Sequence, residues 1–292
     1  MLDETCEVRT RDGCPLHLRR WAPPGRARFV VALVHDLGEH VGRLEEVAGW
    51  FGEARGLSFG ADLRGFGRSG GPRGDVDSFA TLGDDLDEAI AAICRSLPAA
   101  ALPDEVPWFL FGHGHGALVA LDYLLARGED HPFAGAILSA PVIAPAGAPG
   151  PIGRWLAGQV TRVAPSSQVA LEHPGVALSR DPAAAAAADG DRLRVRRVTR
   201  RLVAALDEAR ARVVTRVGGV EVPALWYIGS ADRIAERRAV EALVARLPEA
   251  ARERHTLRIF DGYFHDLHAE PELLRRPVRE LVVGWVEARL GR

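Results

Sequence analysis

Continuous apolar runs alternate with amphipathic segments over the first half of the chain. The runs are typical of parallel strands that are buried on both faces of a sheet. The segments between them repeat apolar residues every three or four positions, which predicts helices. Strands are predicted at 28–35, 57–63, 106–111 and 133–142, helices at about 43–54, 79–97 and 118–126, and a β-hairpin at 4–22. This alternation predicts an α/β fold with a parallel sheet between helices.

The alternation stops at residue 143 and resumes after residue 216. Strands are again predicted at 223–230 and 255–260, with helices at about 235–247 and 277–290. The intervening residues are too many for a structureless loop in a compact domain, and much of this segment is Ala- and Arg-rich with helical spacing. We therefore expect residues 1–142 and 217–292 to form one core, and residues 143–216 to form a helical cap on it.

The composition is that of a globular protein without a strongly charged surface. Among 292 residues, 47% are hydrophobic and 26% are charged, and the net charge of −2 favours neither nucleic acid nor an anionic membrane as a partner. Every one of the 37 basic residues is Arg, which excludes Schiff-base chemistry on Lys. We find no secretory signal and no membrane span, and expect a cytoplasmic protein. A homodimer is compatible with the sequence, which does not fix the oligomeric state.

A glycine-rich turn, FGHGHGALVA at 111–120, joins a predicted strand to a predicted helix. One hypothesis is a dinucleotide-binding loop, since Gly112, Gly114 and Ala117 satisfy G-x-G-x-x-G/A. That hypothesis requires an acidic residue at the tip of the next strand, where the chain has Ser139. The other hypothesis is the sharp turn G-x-nucleophile-x-G of an esterase-type enzyme. It fits better, because an acid and a histidine follow the last two predicted strands in the required order.

Seven motifs in order make the chain resemble an α/β-hydrolase of the monoacylglycerol lipase and lysophospholipase group, in the serine aminopeptidase S33-like family. They are VHDLGEHVGR, ADLRGFGRSGGPRG, FLFGHGHGA, ILSAP, LSRDP, YIGSADRI and GYFHDLHAEP. The resemblance implies an eight-stranded, mostly parallel sheet with a helical lid after the sixth strand. It also implies hydrolysis of lipid-like esters without a cofactor or metal. Asp232 and His265 match the family's catalytic acid and base, and the backbone N–H groups of Leu37 and His115 match its oxyanion hole.

The sequence departs from this family at two positions. Gly114 stands where the family has its nucleophilic serine, and Asp36 stands where a glycine usually follows His35. Glycine has no oxygen or sulfur with which to form a covalent acyl intermediate, so we expect conventional serine-hydrolase activity to be absent or very low. Glycine also adopts the strained backbone of such a turn without penalty, so the fold should survive. Restoring serine at residue 114 is expected to restore reactivity with a fluorophosphonate.

Three hypotheses explain an acid and a histidine without the serine. The chain is an inactivated hydrolase variant, a non-catalytic protein that binds an acyl or lipid-like ligand, or an enzyme recruited to acid–base chemistry by Asp36 and His265, with a further contribution from His115. For Asp36 we favour a different role, in which its side chain points away and binds local backbone, as loop aspartates often do.

The remaining histidines and acids receive simpler interpretations. A metal site that gathers His35, His113, His115 and His265 is an alternative, but the resemblance to the family implies packing and hydrogen-bonding roles for His35 and His113. We expect His268 and Glu270 to lie on the surface of the loop before the last helix.

Overall fold

An eight-stranded sheet forms the centre of the structure. The structure is a computed structural model, and it describes residues 1–96, 106–147, 158–171 and 173–290. A separate pair of short strands lies in the segment 143–216. In chain order, the strands are β1 Leu2–Arg9, β2 Pro15–Ala22, β3 Phe29–Val34, β4 Gly56–Ala61, β5 Trp108–His113, β6 Phe133–Ser139, β7 Gln168–Ala170, β8 Arg197–Thr199, β9 Ala224–Gly229 and β10 His255–Phe260.

The central sheet has the strand order β1-β2-β4-β3-β5-β6-β9-β10. The hairpin β1–β2 and the pair β2–β4 are antiparallel, and the other pairs are parallel. The predicted mostly parallel, eight-stranded sheet is therefore confirmed. Because β3, β5, β9 and β10 run in the same direction, the loops after them lie at one edge of the sheet. Ligand sites of open α/β sheets lie at this carboxyl edge.

Helices flank the sheet, and one of them is buried almost completely. They are α1 Glu45–Glu53, α2 Ala80–Ser96, α3 His115–Arg127, α4 Gly175–Leu178, α5 Pro182–Gly190, α6 Arg200–Arg216, α7 Arg237–Ala245, α8 Glu249–Arg252 and α9 Glu272–Glu287. Helix α3 follows β5 directly and is apolar on nearly every side, in agreement with its predicted burial. None of these helices, within the described ranges, has the length and apolarity needed to cross a bilayer.

The segment 143–216 lies between β6 and β9 in the chain, where the cap is expected. Its description as helical is incomplete, because β7 and β8 pair in an antiparallel two-stranded sheet beside α4, α5 and α6. Strands of three residues are too short to show a periodic pattern, so the sequence does not reveal them. Residues 148–157 and 172 lie outside the described residues, and the division into core and cap stays a prediction. Helix α6 packs against α3, and its buried residues are Leu202, Ala205, Leu206, Ala209 and Val213.

Candidate active site

The turn at Gly114 joins β5 to α3 at the carboxyl edge of the sheet. Its backbone angles are φ 57° and ψ −119°, a left-handed conformation that strongly favours glycine. The flanking Gly112 allows the strand and the helix to approach closely, because a Cβ on it would lie 2.5 Å from the carbonyl oxygen of Gly116. The Gly114 N–H donates to the carbonyl of Ser139 at 2.9 Å, which ties the turn to β6. The predicted sharp turn is therefore present, with no side chain at its tip.

Asp232 and His265 come together from the loops after β9 and β10. The Nδ1–H of His265 donates to Asp232 Oδ2 at 2.8 Å, and both side chains are fully buried. The other oxygen of Asp232 accepts the backbone N–H groups of Ile234 and Ala235 at 2.8 and 2.9 Å. These bonds fix the carboxylate, which in turn fixes the imidazole with its Nε2 toward the interior of the site.

The carboxylate of Asp36 fills the space above Gly114. A Cβ added to Gly114 would overlap Asp36 Cγ and Oδ1, so no side chain at residue 114 fits beside this carboxylate. Asp36 Oδ2 lies 3.3 Å from His265 Nε2. The expectation that Asp36 points away from the site is wrong, whereas its expected bond to local backbone is present, from the N–H of Leu37. The physical reason is that the missing side chain at residue 114 leaves a volume lined by hydrogen-bond donors, and a buried carboxylate requires such donors.

Three donors converge on the other oxygen of Asp36. Oδ1 accepts the backbone N–H of Leu37 at 2.7 Å, the backbone N–H of His115 at 2.6 Å and the Nδ1–H of His115 at 2.8 Å. The two backbone groups are those that the sequence predicts as the oxyanion hole. Because they meet at one oxygen, they can stabilise a single negative charge. In this structure the negative charge that they bind is that of the Asp36 carboxylate.

Protonation states follow from these contacts. Burial alone would raise the pKa of Asp36, but the contacts with His115 and His265 outweigh burial and hold that pKa well below its usual range. Burial alone would lower the pKa of His265, but the carboxylates of Asp232 and Asp36 outweigh it and raise that pKa well above the usual value. Burial lowers the pKa of His115. At neutral pH the site therefore contains an Asp36 anion, a His265 imidazolium and a neutral His115.

This carboxylate also argues against the dinucleotide hypothesis. A pyrophosphate needs free backbone N–H groups at the start of the helix, and the N–H of His115 is already bound to Asp36. The negative charge of Asp36 would repel the phosphates. The glycine turn therefore agrees with the other hypothesis, the sharp G-x-nucleophile-x-G turn of an esterase-type enzyme.

Comparison with known proteins agrees with this geometry. The sequence model of the family described as "Serine aminopeptidase, S33" matches residues 25–272. The chain belongs to this family. It is 28% identical to the monoglyceride lipase of Rattus norvegicus over 283 residues, covering 96% of the chain and 89% of that protein. It is 27% identical to the monoacylglycerol lipase of Mycolicibacterium smegmatis over 274 residues, covering 92% of both.

Solved structures place this family member in the α/β-hydrolase fold. The crystal structure of the Paleococcus ferrophilus monoacylglycerol lipase superimposes with a TM-score of 0.79 at 25% identity, covering 92% of the chain and 97% of that structure. One curated relative, an uncharacterized abhydrolase domain-containing protein of Dictyostelium discoideum, is longer, and the chain spans 30% of its length. By family and fold the chain is a lipase- and esterase-like α/β-hydrolase. The resemblance in the sequence is confirmed.

A second layer of buried polar groups supports the loop that carries His265. Glu270 Oε1 accepts the backbone N–H of Phe264 at 2.8 Å and lies 3.2 Å from Arg180 Nε, and His268 is 2% exposed. The expectation that His268 and Glu270 lie on the surface is wrong. Polar residues in a loop before a helix resemble a solvated turn, whereas here Arg180 from the segment 143–216 pairs with Glu270, and the ring of His268 packs 4.9 Å from that of His113.

The proposed histidine cluster separates into different roles. His35 donates from Nδ1 to its neighbour's carbonyl at 2.7 Å and accepts the Leu63 N–H at Nε2, which leaves it no lone pair for a metal. His113 binds Ser139 Oγ at 3.1 Å and Asp266 Oδ1 at 3.0 Å. Both histidines therefore have the hydrogen-bonding roles that the sequence favours. Ligand atoms of Asp36, His113 and His265 lie within 4.8 Å of one another, but the ring nitrogens of both histidines already have hydrogen-bond partners.

A mostly apolar cavity of about 630 Å³ begins beside the site. Leu37 and His115, whose N–H groups hold Asp36, form part of its wall. Its other lining residues come from the loop after β6, from the segment 143–216 and from the loop after β9; they include Val142, Ile143, Leu171, His173, Val203, Leu206, Arg210 and Ile234. The cavity can therefore hold an apolar chain with one end near Asp36.

Arg210 is a site residue that the sequence analysis did not single out. Its Nη2 donates to His115 Nε2 at 2.9 Å, and its Nε donates to the carbonyl of Val142 at 3.2 Å. Because His115 accepts at Nε2, its proton is on Nδ1, where it binds Asp36. Arg210 follows Val203 and Leu206 by seven and four positions on α6, so the helical spacing of the apolar face is the signal that could have found it.

Proposed function

We propose that this protein binds a lipid-like carboxylic ester, or the corresponding acyl product, and that it hydrolyses esters by the serine route very slowly or not at all. The observation that carries the proposal is the Asp36 carboxylate above Gly114. It occupies both the volume of the missing nucleophile and the two N–H groups that would bind a substrate carbonyl.

Two independent features oppose ordinary ester hydrolysis. Gly114 offers no attacking atom for an acyl intermediate. In addition, the tetrahedral intermediate needs donors for its oxyanion, and a fixed negative charge in that position repels it. A trace rate remains compatible with water attack assisted by His265, since enzymes without their nucleophile retain weak catalysis.

The cavity supports the choice of ligand. Its volume of about 630 Å³ lies within the range of small-molecule sites, and most of its lining side chains are aliphatic. Arg210 and His173 supply the polar groups of the lining near His115. An acyl chain would lie against the aliphatic wall and present its polar head to Arg210. On this proposal the segment 143–216 acts as the lid of the cavity.

A ligand-binding experiment with a cavity-filling variant tests the proposal. A medium-chain monoacylglycerol or its fatty acid should raise the melting temperature of the wild-type protein and be recovered intact, because binding to the folded state stabilises it by mass action. Ala204 lines the cavity on α6, so Ala204→Trp should abolish the shift. Ala211→Trp is the matched control, since Ala211 is exposed on the same helix and should leave the shift unchanged. Rapid release of the fatty acid by the wild type would contradict the proposal.

A further inference from the structure

The Asp36 carboxylate blocks the oxyanion hole, but its position is also suitable for a nucleophile. One oxygen, Oδ1, is held by the N–H groups of Leu37 and His115 at 2.7 and 2.6 Å. The other oxygen, Oδ2, faces His265 Nε2 at 3.3 Å. A carboxylate that attacks with one oxygen needs its carbonyl carbon polarised later, when water must release the product. In Asp36, Oδ2 is placed for the attack, and Oδ1 is placed for the later polarisation by the two N–H groups.

We propose that Asp36 is the nucleophile of a displacement at saturated carbon, and that the protein hydrolyses an apolar alkyl electrophile such as a primary alkyl halide. A carbonyl substrate does not suit this nucleophile, because its oxyanion would need the donors that Oδ1 occupies. A saturated carbon needs no oxyanion hole in the first step. The inference uses the cavity of the proposed function for the alkyl chain, but it does not depend on recognition of an ester.

The first step forms one bond and breaks one. Asp36 Oδ2 attacks the carbon that bears the halogen, the carbon–halogen bond breaks with its electron pair, and the halide leaves. The product is an alkyl ester of Asp36. The negative charge of Asp36 disappears in this step, so His265 loses one of the two carboxylates that favour its imidazolium, and its Nε2 proton is released with the halide.

The second step uses the arrangement that remains. Neutral His265, held by Asp232 at 2.8 Å, takes a proton from water at Nε2. The resulting hydroxide attacks Cγ of Asp36, and the charge that develops on Oδ1 is stabilised by the N–H groups of Leu37 and His115. The bond from Cγ to Oδ2 of the ester breaks, the alcohol leaves with the proton of the added hydroxyl group, and the Asp36 anion and His265 imidazolium are restored. The balance is alkyl halide plus water to alcohol, halide ion and a proton.

The surroundings of Asp36 favour this chemistry. Asp36 is 1% exposed in the structure, so its carboxylate attacks without first losing a shell of bulk water. The adjacent wall of the cavity carries cap side chains, since Leu171 lies over Gly38 and the ring of His173 stacks 6.5 Å from that of His115. A substrate carbon reaches Asp36 by displacing these side chains. Arg210 lies on the same wall, where its guanidinium is paired with Asp207 at 2.6 Å.

Isotope labelling of the wild-type protein tests the inference without a variant. With 1-bromohexane in water enriched in ¹⁸O, turnover should release bromide and place ¹⁸O in the carboxylate of Asp36, detected by mass spectrometry of the peptide that contains it. Asp232 is the internal control, because it is equally buried but is not attacked. A terminal epoxide of the same chain length is the second probe, in which the opened oxygen keeps the proton that His265 releases. Labelling with only one of the two probes identifies the leaving group and supports the inference.

Two variants separate this inference from the proposed function. Asp36→Asn should abolish bromide release while the melting-temperature shift with the fatty acid persists. His265→Gln should accumulate the alkyl ester, seen as a mass increase on the Asp36 peptide. Bromide release without ¹⁸O in Asp36 would overturn the inference, as would a bound alkyl chain with neither bromide release nor labelling. Labelling without any shift by fatty acid would instead overturn the proposed ligand class.

Discussion

The Asp36 carboxylate and the glycine at residue 114 are complementary in space. The carboxyl group lies where the side chain of any other residue at position 114 would begin, and it binds the N–H of the next residue, His115, at 2.6 Å. The two departures from the family therefore form one unit. A side chain at residue 114 alone would collide with Asp36. Removal of the Asp36 carboxylate alone would leave an empty volume lined by hydrogen-bond donors.

Gly114→Ala should destabilise the protein by more than backbone strain alone. A methyl group there collides with Asp36, and overpacking of a filled site costs about 1–3 kcal/mol. Gly128 is a matched control, because its φ of 59° and ψ of −113° nearly equal those of Gly114 and nothing lies within 4 Å of its Cβ position. Gly128→Ala therefore reports strain without the collision. Urea unfolding of both variants measures the difference, and equal losses would show that Asp36 moves aside at no cost.

Serine-hydrolase chemistry should return only when both positions are changed. The sequence alone suggests that Gly114→Ser suffices, but the structure shows that this serine meets the Asp36 carboxylate. Asp36→Gly together with Gly114→Ser frees the two N–H groups of the oxyanion hole and supplies the nucleophile. The double variant should hydrolyse a p-nitrophenyl ester at least about 100-fold faster than the wild type, the scale associated with one oxyanion donor. Fluorophosphonate labelling should map to residue 114.

The single variants are the controls for this restoration. Gly114→Ser and Asp36→Gly should each remain near the wild-type rate, the first because its oxyanion hole is filled and the second because it lacks a nucleophile. If Gly114→Ser alone matches the double variant, Asp36 does not block the site.

Much of this arrangement is predictable because it depends on strand order. Asp232 and His265 follow the last two strands of a parallel sheet, and such loops meet at one edge, so their proximity could be inferred. Leu37 and His115 were likewise predicted as donors from the loops after β3 and β5. The proximity of Asp232 and His265 needs only the positions of backbone segments, which apolar runs and glycine turns indicate well, whereas the two donors were implied by the resemblance to the family.

The direction of the Asp36 side chain could not be predicted in this way. Its neighbours in the chain, His35 and Leu37, allow the side chain to bind local backbone while it points either away from the site or into it. The decision depends on the missing Cβ at residue 114, far along the chain. The burial of Glu270 could not be predicted for a related reason, because it depends on contact with Arg180 from the distant segment 143–216.

The contact between His265 and Asp36 should make stability decrease at alkaline pH. The folded-state pKa of His265 lies well above 6.5, so its contribution is fully present below pH 6.5 and is lost as the pH rises through the folded-state value. Asp36→Asn removes one of the carboxylates responsible. The stability advantage of the wild type over this variant should therefore shrink above pH 6.5, in urea unfolding at several pH values.

An exposed acid provides the comparison for this pH effect. Asp84 contacts Arg127 and its side chain is 68% exposed, so Asp84→Asn should give a difference that stays nearly constant over the same pH range. A constant difference for Asp36→Asn as well would show that His265 is neutral beside it. Titration of the His265 ring by NMR gives the same answer directly.

Glu39 should also make the protein less stable as the pH rises. The cause differs from that at His265, because here burial favours the neutral form of an acid. Glu39 is 2% exposed and neither of its carboxylate oxygens has a hydrogen-bond partner among the described residues, although Arg43 Nε lies 3.5 Å and Arg194 Nε 3.7 Å from its Oε1. Burial, and next the nearby carboxylate of Asp266, raise the pKa of Glu39 from 4.5 to about 7. The folded protein therefore binds an extra proton between these values, and stability is lost as the pH rises from 4.5 through about 7.

Glu39→Gln tests this prediction because glutamine resembles the protonated acid at every pH. Relative to the wild type, the variant should gain about 3 kcal/mol in its free energy of unfolding between pH 4.5 and pH 8, the value that corresponds to the difference in pKa. Glu45→Gln is the control, since the Glu45 side chain is 60% exposed in its ion pair with Arg19 and should show little pH dependence. If Glu39→Gln instead loses stability as the pH rises, Glu39 is ionised in the folded protein and its pairing with Arg43 and Arg194 outweighs its burial.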